Sequence, residues 1–260
     1  MKFISCFKEV CLFKITWLGI IECDGLDCYN QNMIGIVDYK AGNIKSLERA
    51  LEAIKAPFIL SDKAGDFKDC DRLIFPGVGD ASYSMKQLKA TGFDSFLKDW
   101  AACGKPLMGI CLGSQIIFEY SQEGDTECLG LLKGKIISLS QLWKERQADE
   151  NEKKELGHEI YEHHLKTPHM GWNDVTFCNN PSHLLGGVKS GSDFYFVHSY
   201  VIQPQDPLVI KGYASYGTMI PAVIEKDNII AFQFHPEKSG KTGLKLLKNF
   251  ADLSVGEKNA

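Results

Sequence analysis

The chain has 260 residues, of which 44% are hydrophobic and 24% are charged, and this is enough apolar material for one sizeable globular core. A net charge of −4 and a pI near 6.0 give no basic stripe, which argues against binding to nucleic acid or to an anionic membrane through charge. Nine cysteines, an odd number without any CxxC pair, indicate reduced thiols in a cytoplasmic protein rather than a disulfide framework.

We interpret residues 1–32 as an appendage to the fold. Their apolar run, at 15–21, is too short to cross a bilayer core about 30 Å thick. Glu22 and Asp24 follow this run with no small-residue cleavage site, so it makes a poor signal peptide. Because Met33 then opens a clean strand, translated upstream sequence that is not part of the native protein is one explanation for the appendage.

From Met33 onward, strands and helices alternate. Residues 33–39 form a short apolar run rich in β-branched side chains, and apolar residues then recur at helical spacing from Ile44, behind a predicted cap at Asn43. Further strands are predicted at 58–60, 72–75 and 106–110, with an amphipathic stretch at 81–97. Since these strands lack a polar face, helices should cover both sides of the sheet. The sequence therefore predicts an α/β fold with an open, doubly wound, mostly parallel sheet.

The second half of the chain favours mixed or antiparallel strands. Its apolar runs are shorter and are separated by Gly, Pro and Asn-Pro turns; they lie at 194–201, 222–224 and 229–234. Residues 143–166 hold seven acidic, five basic and three histidine residues with almost no apolar periodicity. We interpret this stretch as a solvated insert, without a metal site, in one domain that spans 33–253. Residues 254–260 are predicted to be a frayed tail.

One segment has the pattern of a nucleophile at a strand-to-helix corner. In residues 105–120, an apolar strand runs into Gly-Ile-Cys-Leu-Gly and then into a helix. Glycines on either side leave room for a strained turn that exposes Cys111, whose thiol then faces the N-terminus of the helix. A buried structural cysteine between two packing glycines is the alternative interpretation.

A base and an orienting carboxylate are predicted in a later segment. His235 follows an apolar strand, and Glu237 comes two positions after it. In an extended segment, residues i and i+2 point to the same side, so Glu237 can hold the imidazole of His235. Nucleophile and histidine would then both lie at carboxyl ends of strands, as in other α/β enzymes. A surface His-Pro-Glu turn is the alternative.

Acyl transfer also requires donors for the developing oxyanion. The backbone N–H of Leu112, at the corner itself, supplies one. The second is predicted in the Pro-Gly-Val-Gly loop after the strand at 72–75, where either Gly79 or Val78 can turn its N–H toward a substrate. A tight connection between a strand and a helix explains the same loop without catalysis.

Together these three segments resemble the class I glutamine amidotransferases, in which a Gly-x-Cys-x-Gly corner is joined by a distant His-Pro-Glu. Three more segments are similar to the glutaminase subunits of imidazole glycerol phosphate synthase: DYKAGN at 38–43, PHMGWN at 168–173 and YFVHSY at 195–200. The resemblance implies that Cys111 attacks the glutamine carboxamide, that His235 protonates the departing ammonia and that Glu237 orients His235, with no cofactor.

The resemblance also implies how substrate and partner bind. Four residues are expected to contact glutamine: Gln115, Glu123, Ser199 and Tyr200. The ammonia is expected to enter a cyclase subunit, in a heterodimer, that docks on an interface group: His169, Met170, Trp172 and Tyr195. For Trp172, core packing is an equal interpretation. The chain departs from the family pattern at Lys40, where a small residue is usual, and at Ser114, which replaces a common methionine.

Three other functions stay open on the sequence alone. A paralogous glutaminase can supply ammonia to another synthase, for example one that aminates a surface-polysaccharide sugar. A non-catalytic scaffold can retain the fold, although the intact Cys111, His235 and Glu237 argue against it. A hydrolase of peptides or γ-glutamyl chains can use the same triad, although PHMGWN and YFVHSY favour a docked glutaminase.

Overall fold

The structure, a computed structural model, describes residues 32–40, 44–148 and 165–253, with only the backbone of 146–148. The appendage up to residue 31, the Asn43 cap, most of the charged insert and the tail from residue 254 lie outside the described residues. Within the described ranges, no helix is both long enough and apolar enough to cross a membrane.

The described ranges contain thirteen strands and six α-helices. The strands are β1 (Ile34–Val37), β2 (Phe58–Ser61), β3 (Arg72–Gly77), β4 (Leu107–Cys111), β5 (Tyr120–Ser121), β6 (Thr126–Glu127), β7 (Gly134–Ser138), β8 (His169–Phe177), β9 (Ser192–His198), β10 (Tyr200–Pro204), β11 (Ile210–Ser215), β12 (Met219–Lys226) and β13 (Ile229–Phe232). The helices are α1 (Ile44–Ala53), α2 (Ala81–Thr91), α3 (Phe93–Ala102), α4 (Leu112–Ile116), α5 (Leu139–Ala148) and α6 (Gly240–Ala251).

Nine strands form the main sheet, in the order β2-β1-β3-β4-β13-β12-β11-β8-β9. The strands from β2 to β13 pair in parallel, and the remaining pairs, from β13 to β9, are antiparallel. A second sheet has four strands in the order β10-β7-β5-β6. The predicted α/β class is thus confirmed, with its parallel core and its antiparallel strands in the second half.

Helices cover both faces of the parallel strands. On one face, α1 and α6 bury a group of apolar side chains that includes Leu51 and Leu247, and on the other, α2 and α3 bury a second group that includes Leu88 and Leu97. Burying one leucine contributes about 1.5–3 kcal/mol. Fully buried Arg72 joins β3 to the end of α6, since its Nη1 donates to the carbonyl oxygens of Phe250 and Ala251 at 2.8 and 2.6 Å.

The predicted element at 81–97 is two helices, and the one at 194–201 is two strands. Gly92 ends α2 with a φ of 75°, a left-handed conformation that suits glycine, and α3 begins at the next residue. Around Ser199 the chain leaves the main sheet in β9 and enters the small sheet in β10. The start of the predicted insert is also helical: Trp143 lies in α5, and its Nε1 donates to the carbonyl oxygen of Tyr216 at 3.2 Å.

Candidate active site

Cys111 lies at a sharp corner where β4 ends and α4 begins. Its φ of 53° and ψ of −112° are strained for a residue with a side chain. A Cβ on Gly113 would lie 2.0 Å from the carbonyl oxygen of Phe75, and one on Gly109 would lie 2.9 Å from the Cα of Ser114. Both glycines of the GxCxG pattern therefore serve close backbone approach, and the strained Cys111 is typical of a nucleophile corner.

The two departures from the family pattern have local explanations. The Ser114 hydroxyl donates to the carbonyl oxygen of Cys111 at 2.6 Å and so ties the first turn of α4 to the corner. Lys40 has a φ of 65°, which glycine adopts without strain, and its N–H donates to Asp38 Oδ1 at 2.9 Å. Since neither side chain is hydrogen-bonded to His235 or Glu237, the pair of His235 and Glu237 is preserved.

The turn after β13 holds His235 and Glu237 together. His235 Nδ1 lies 2.7 Å from Glu237 Oε1, and the two side chains are only 3% and 6% exposed. The His235 N–H donates to the carbonyl oxygen of Tyr195 at 2.9 Å, and the Ser239 hydroxyl donates to the carbonyl oxygen of His235 at 2.6 Å. Backbone and carboxylate together fix the orientation of the ring.

The surroundings of His235 favour its charged form. Burial by itself would lower the pKa of His235, whereas a Cys111 thiolate beside the ring and the hydrogen bond to Glu237 raise it, to about 10. Among the described residues, none makes a hydrogen bond of good geometry to Nε2. This nitrogen is therefore free to give a proton to a leaving group or to take one from water.

A cavity of about 250 Å³ opens above the corner. It is lined by Cys111 and His235 and by all residues predicted for the oxyanion and for the substrate: Val78, Gly79, Leu112, Gln115, Glu123, Ser199 and Tyr200. Gly79 has a φ of 96°, so the loop after β3 uses a backbone conformation that favours glycine. The structure brings these distant segments of the sequence to one place.

Two polar side chains of the cavity have fixed orientations. Gln115 Nε2 donates to the carbonyl oxygen of Tyr200 at 3.0 Å and to Gln233 Oε1 at 2.9 Å, which leaves its own carbonyl oxygen for a ligand. Glu123 Oε2 accepts from the N–H of Ala81, at the start of α2, at 2.9 Å. Burial raises the pKa of Glu123, although the hydrogen bond from Ala81 opposes this effect.

The predicted interface group divides between the surface and the interior. On β8, Met170 and Trp172 are 62% and 59% exposed. The Trp172 ring packs edge-on against the Tyr195 ring, with the ring centroids 6.1 Å apart. His169 is buried instead, with its ring stacked against Phe196 and Tyr216. Alternation along a strand explains the difference, because residues 170 and 172 face one side and 169 faces the other.

His198 belongs to the cavity but was not assigned from the sequence. Its ring is buried, lines the cavity and lies with Nδ1 2.8 Å from the carbonyl oxygen of Tyr200. Strand alternation could have predicted its burial. Nothing local in the sequence marks the change of sheet at Ser199, which brings His198 beside the cavity.

The chain is similar to known proteins over most of its length. Residues 35–253 match the family described as glutamine amidotransferase class-I. The chain is 41% identical over 226 residues to the imidazole glycerol phosphate synthase subunit HisH of Geobacillus sp. (strain WCH70), covering 86% of this chain and 99% of that protein. It is 40% identical over 227 residues to the HisH subunit of Bacillus subtilis (strain 168), covering 87% and 99%.

Solved structures share the fold at low sequence identity. A crystal structure of a glutamine amidotransferase superposes with a TM-score of 0.59 and 15% identity, over 84% of this chain and 96% of that chain. The structure of PurLQS from Thermotoga maritima superposes with a TM-score of 0.57 and 19% identity, over 85% and 98%. With the sequence matches, these findings show that the chain belongs to the class-I glutamine amidotransferase family and, within it, to the HisH subunits of imidazole glycerol phosphate synthase.

Proposed function

We propose that this chain is the glutaminase subunit of an imidazole glycerol phosphate synthase in histidine biosynthesis, and that it hydrolyses glutamine and passes the ammonia to a cyclase subunit. The observation that carries the proposal is the strained Cys111 in one cavity with His235, whose ring is held by Glu237 at 2.7 Å. A sulfur nucleophile, a base and an orienting carboxylate are the groups that acyl transfer from a carboxamide requires.

The first half of the reaction releases ammonia. The Cys111 thiolate attacks the carboxamide carbon of glutamine, and the negative charge that develops on the oxygen is stabilised by the N–H of Leu112 and by an N–H from Val78 or Gly79. His235 gives its Nε2 proton to the leaving nitrogen. The carbon–nitrogen bond breaks, and a glutamyl thioester remains on Cys111.

The second half restores the enzyme. His235, now neutral, takes a proton from water through Nε2 as the water oxygen attacks the thioester carbon. The carbon–sulfur bond breaks, glutamate leaves, and Cys111 is again a thiolate beside a protonated His235. Glu237 keeps Nδ1 protonated and the ring in place in both halves.

The cavity has groups that match the α-ammonium group of glutamine. Glu123 is the one carboxylate among the described lining residues, so we assign to it the α-ammonium group of the substrate. The free carbonyl oxygen of Gln115 can accept a second hydrogen bond from the same group. Ser199 and Tyr200 lie on the chain segment that joins the two sheets and complete the proposed binding site.

A group of two exposed side chains and one half-buried side chain on the β8–β9 hairpin supports docking of the cyclase subunit. Met170, Trp172 and Tyr195 lie together there, and methionine and aromatic side chains are enriched in protein interfaces. Docking would cover the mouth of the site and guide ammonia into the partner rather than into water.

The cysteines in the described ranges are free thiols, in keeping with a reducing cytoplasm: Cys70, Cys103, Cys111, Cys128 and Cys178.

Glutamate release by the chain mixed with a cyclase subunit tests the proposal. We expect Cys111→Ala to abolish release, because no other group replaces the sulfur nucleophile. Cys103→Ala, at an exposed free cysteine, is the matched control and should retain full activity. If release persists in Cys111→Ala, the mechanism is wrong. If the cyclase subunit neither binds nor receives the ammonia, the assignment to histidine biosynthesis fails, and a paralogous synthase becomes the partner to test.

A further inference from the structure

Two buried histidines next to the cavity have no part in the proposed reaction. His169 and His198 are 2% and 5% exposed and lie directly opposite each other on β8 and β9. The His169 ring is stacked between Phe196 and Tyr216, with ring centroids 4.7 and 4.0 Å away. Burying two histidines in this way removes their hydration, so each nitrogen needs a partner.

The partners form one chain of hydrogen bonds. Asn173 Nδ2 lies 2.9 Å from the carbonyl oxygen of Ser215 and 3.2 Å from His169 Nε2. His169 Nδ1 lies 2.9 Å from His198 Nε2, and His198 Nδ1 lies 2.8 Å from the carbonyl oxygen of Tyr200. All four ring nitrogens are therefore paired.

The groups at the two ends of this hydrogen-bond chain determine which atoms in it donate and which accept. The carbonyl oxygen of Tyr200 can only accept, so His198 Nδ1 carries the hydrogen and, in a neutral ring, Nε2 accepts. His169 Nδ1 must then donate, and its Nε2 must accept from the amide of Asn173. The Ser215 carbonyl oxygen can also only accept, so the Asn173 atom that lies near both Ser215 and His169 Nε2 must be the amide nitrogen.

Both rings are held in the neutral form that this direction requires. Burial, followed by the neighbouring His198, lowers the pKa of His169 to about 3. Burial lowers the pKa of His198 to about 4, a charged His235 acts in the same sense, and the hydrogen bond to Tyr200 opposes them. Among the described residues, a neutral His198 leaves His235 as the one cationic ring beside Cys111.

The last acceptor of this hydrogen-bond chain, the Tyr200 carbonyl oxygen, also orients the side chain of Gln115. The Tyr200 carbonyl oxygen accepts from both His198 and Gln115, so together with Gln233 Oε1 it sets which way the Gln115 amide faces. We propose that His169 and His198 are positioning residues for glutamine: as neutral Nδ1–H tautomers they carry one hydrogen-bond chain from Asn173 to the Tyr200 carbonyl, which presents the Gln115 oxygen to the substrate. The inference rests on the proposed glutaminase function.

The tautomers can be observed without any substitution. In two-bond ¹H–¹⁵N correlation spectra of the histidine-labelled protein at about pH 7, His169 and His198 should each show a protonated Nδ1 and an unprotonated Nε2. An Nε2–H tautomer or an imidazolium at either ring would overturn the proposal. This measurement needs no activity and no variant, so it decides the direction of the chain even where a variant does not fold.

Kinetics of the complex with the cyclase subunit test the positioning role. His169→Phe keeps the aromatic stack but removes the hydrogen-bond donor to His198. We expect this variant to raise KM for glutamine about tenfold, which corresponds to the free energy of one hydrogen bond. Its kcat should change by less than about twofold. His183→Phe, at a histidine that pairs with Glu225 outside the cavity, should leave both constants unchanged. Equal KM values for the two variants would overturn the proposal.

A conservative variant separates the hydrogen bond from the bulk of the ring. The amide of His198→Asn can replace Nδ1 as donor to the Tyr200 carbonyl, whereas His198→Leu cannot, so the Asn variant should have the lower KM for glutamine. The reverse order would count against positioning. If the unsubstituted complex releases no glutamate at all, the proposed function fails, whereas normal release with unaffected variants removes only the positioning role.

Discussion

In the proposed mechanism, His235 must be protonated to give a proton to the leaving ammonia. The folded pKa of His235, about 10, lies above its ordinary value of 6.5. Protonation of His235 therefore stabilises the folded protein, and this stabilisation is fully present below pH 6.5. That stabilisation is lost as the pH rises through about 10. His235 therefore stays protonated across the neutral range, as the proposed release of ammonia requires.

Glu237→Gln tests the carboxylate in this arrangement. The substitution removes the negative charge next to Nδ1, so we expect kcat/KM for glutamine to fall about a hundredfold or more and the alkaline limb of its pH profile to move to lower pH. The measurement is glutamate release by the complex from about pH 6 to about pH 10.

The matched control for this variant is Glu225→Gln. Glu225 pairs with His183 at 3.2 Å, so the substitution also removes a carboxylate beside a histidine, but outside the cavity. It should leave the profile unchanged. An alkaline limb that stays in place in Glu237→Gln would contradict the role given to Glu237.

At the scale of elements, the corner between β4 and α4 has no space for a side chain at Gly113. The nearest atom to an added Cβ would be the carbonyl oxygen of Phe75, a backbone atom that cannot rotate away. We expect Gly113→Ala to lower the free energy of unfolding by about 2 kcal/mol or more. Glutamate release should fall as well, because the N–H of Leu112 is displaced.

Urea unfolding of Gly113→Ala and Gly65→Ala measures this effect against a matched change. A Cβ on Gly65 would meet no atom within 4 Å, so that variant should keep its stability and activity. Equal unfolding free energies for the two variants would show that the corner tolerates a side chain and that the close approach is not a constraint.

The elements that could be predicted from the sequence are those whose signals are contiguous. The strand before Cys111 and the two glycines around it lie within a few residues, so the corner was predictable. The bond between Gln115 and Gln233 joins residues 118 positions apart, and no local pattern indicates it. The burial of His169 was likewise missed, because it depends on which face of β8 meets the core.

For the whole molecule, strand β9 of the hairpin contacts the turn that holds His235 and Glu237. The Tyr195 ring contacts Trp172 at the surface, while its carbonyl oxygen accepts from the N–H of His235. A partner that contacts Tyr195 is therefore separated from His235, the proposed base, by a single backbone hydrogen bond. The arrangement allows docking and catalysis to influence each other through backbone contacts.

Trp172→Ala tests the hairpin as a docking surface. Loss of a large aromatic side chain from the centre of an interface typically costs about 2 kcal/mol or more, so we expect the Kd for the cyclase subunit to rise about thirtyfold. Isothermal titration calorimetry measures it. Leu208→Ala, at a side chain that is 79% exposed, is the control. If both variants bind the cyclase subunit as the unsubstituted chain does, docking uses another surface.

Covalent labelling tests the central claim, that Cys111 is the nucleophile for glutamine. The complex is incubated with an electrophilic glutamine analogue, and the modified peptide is identified by mass spectrometry. We predict one adduct on Cys111, prevented by excess glutamine and accompanied by complete loss of glutamate release. An adduct on Cys70, Cys103, Cys128 or Cys178 that accompanies the loss of activity, with Cys111 unmodified, would contradict the account.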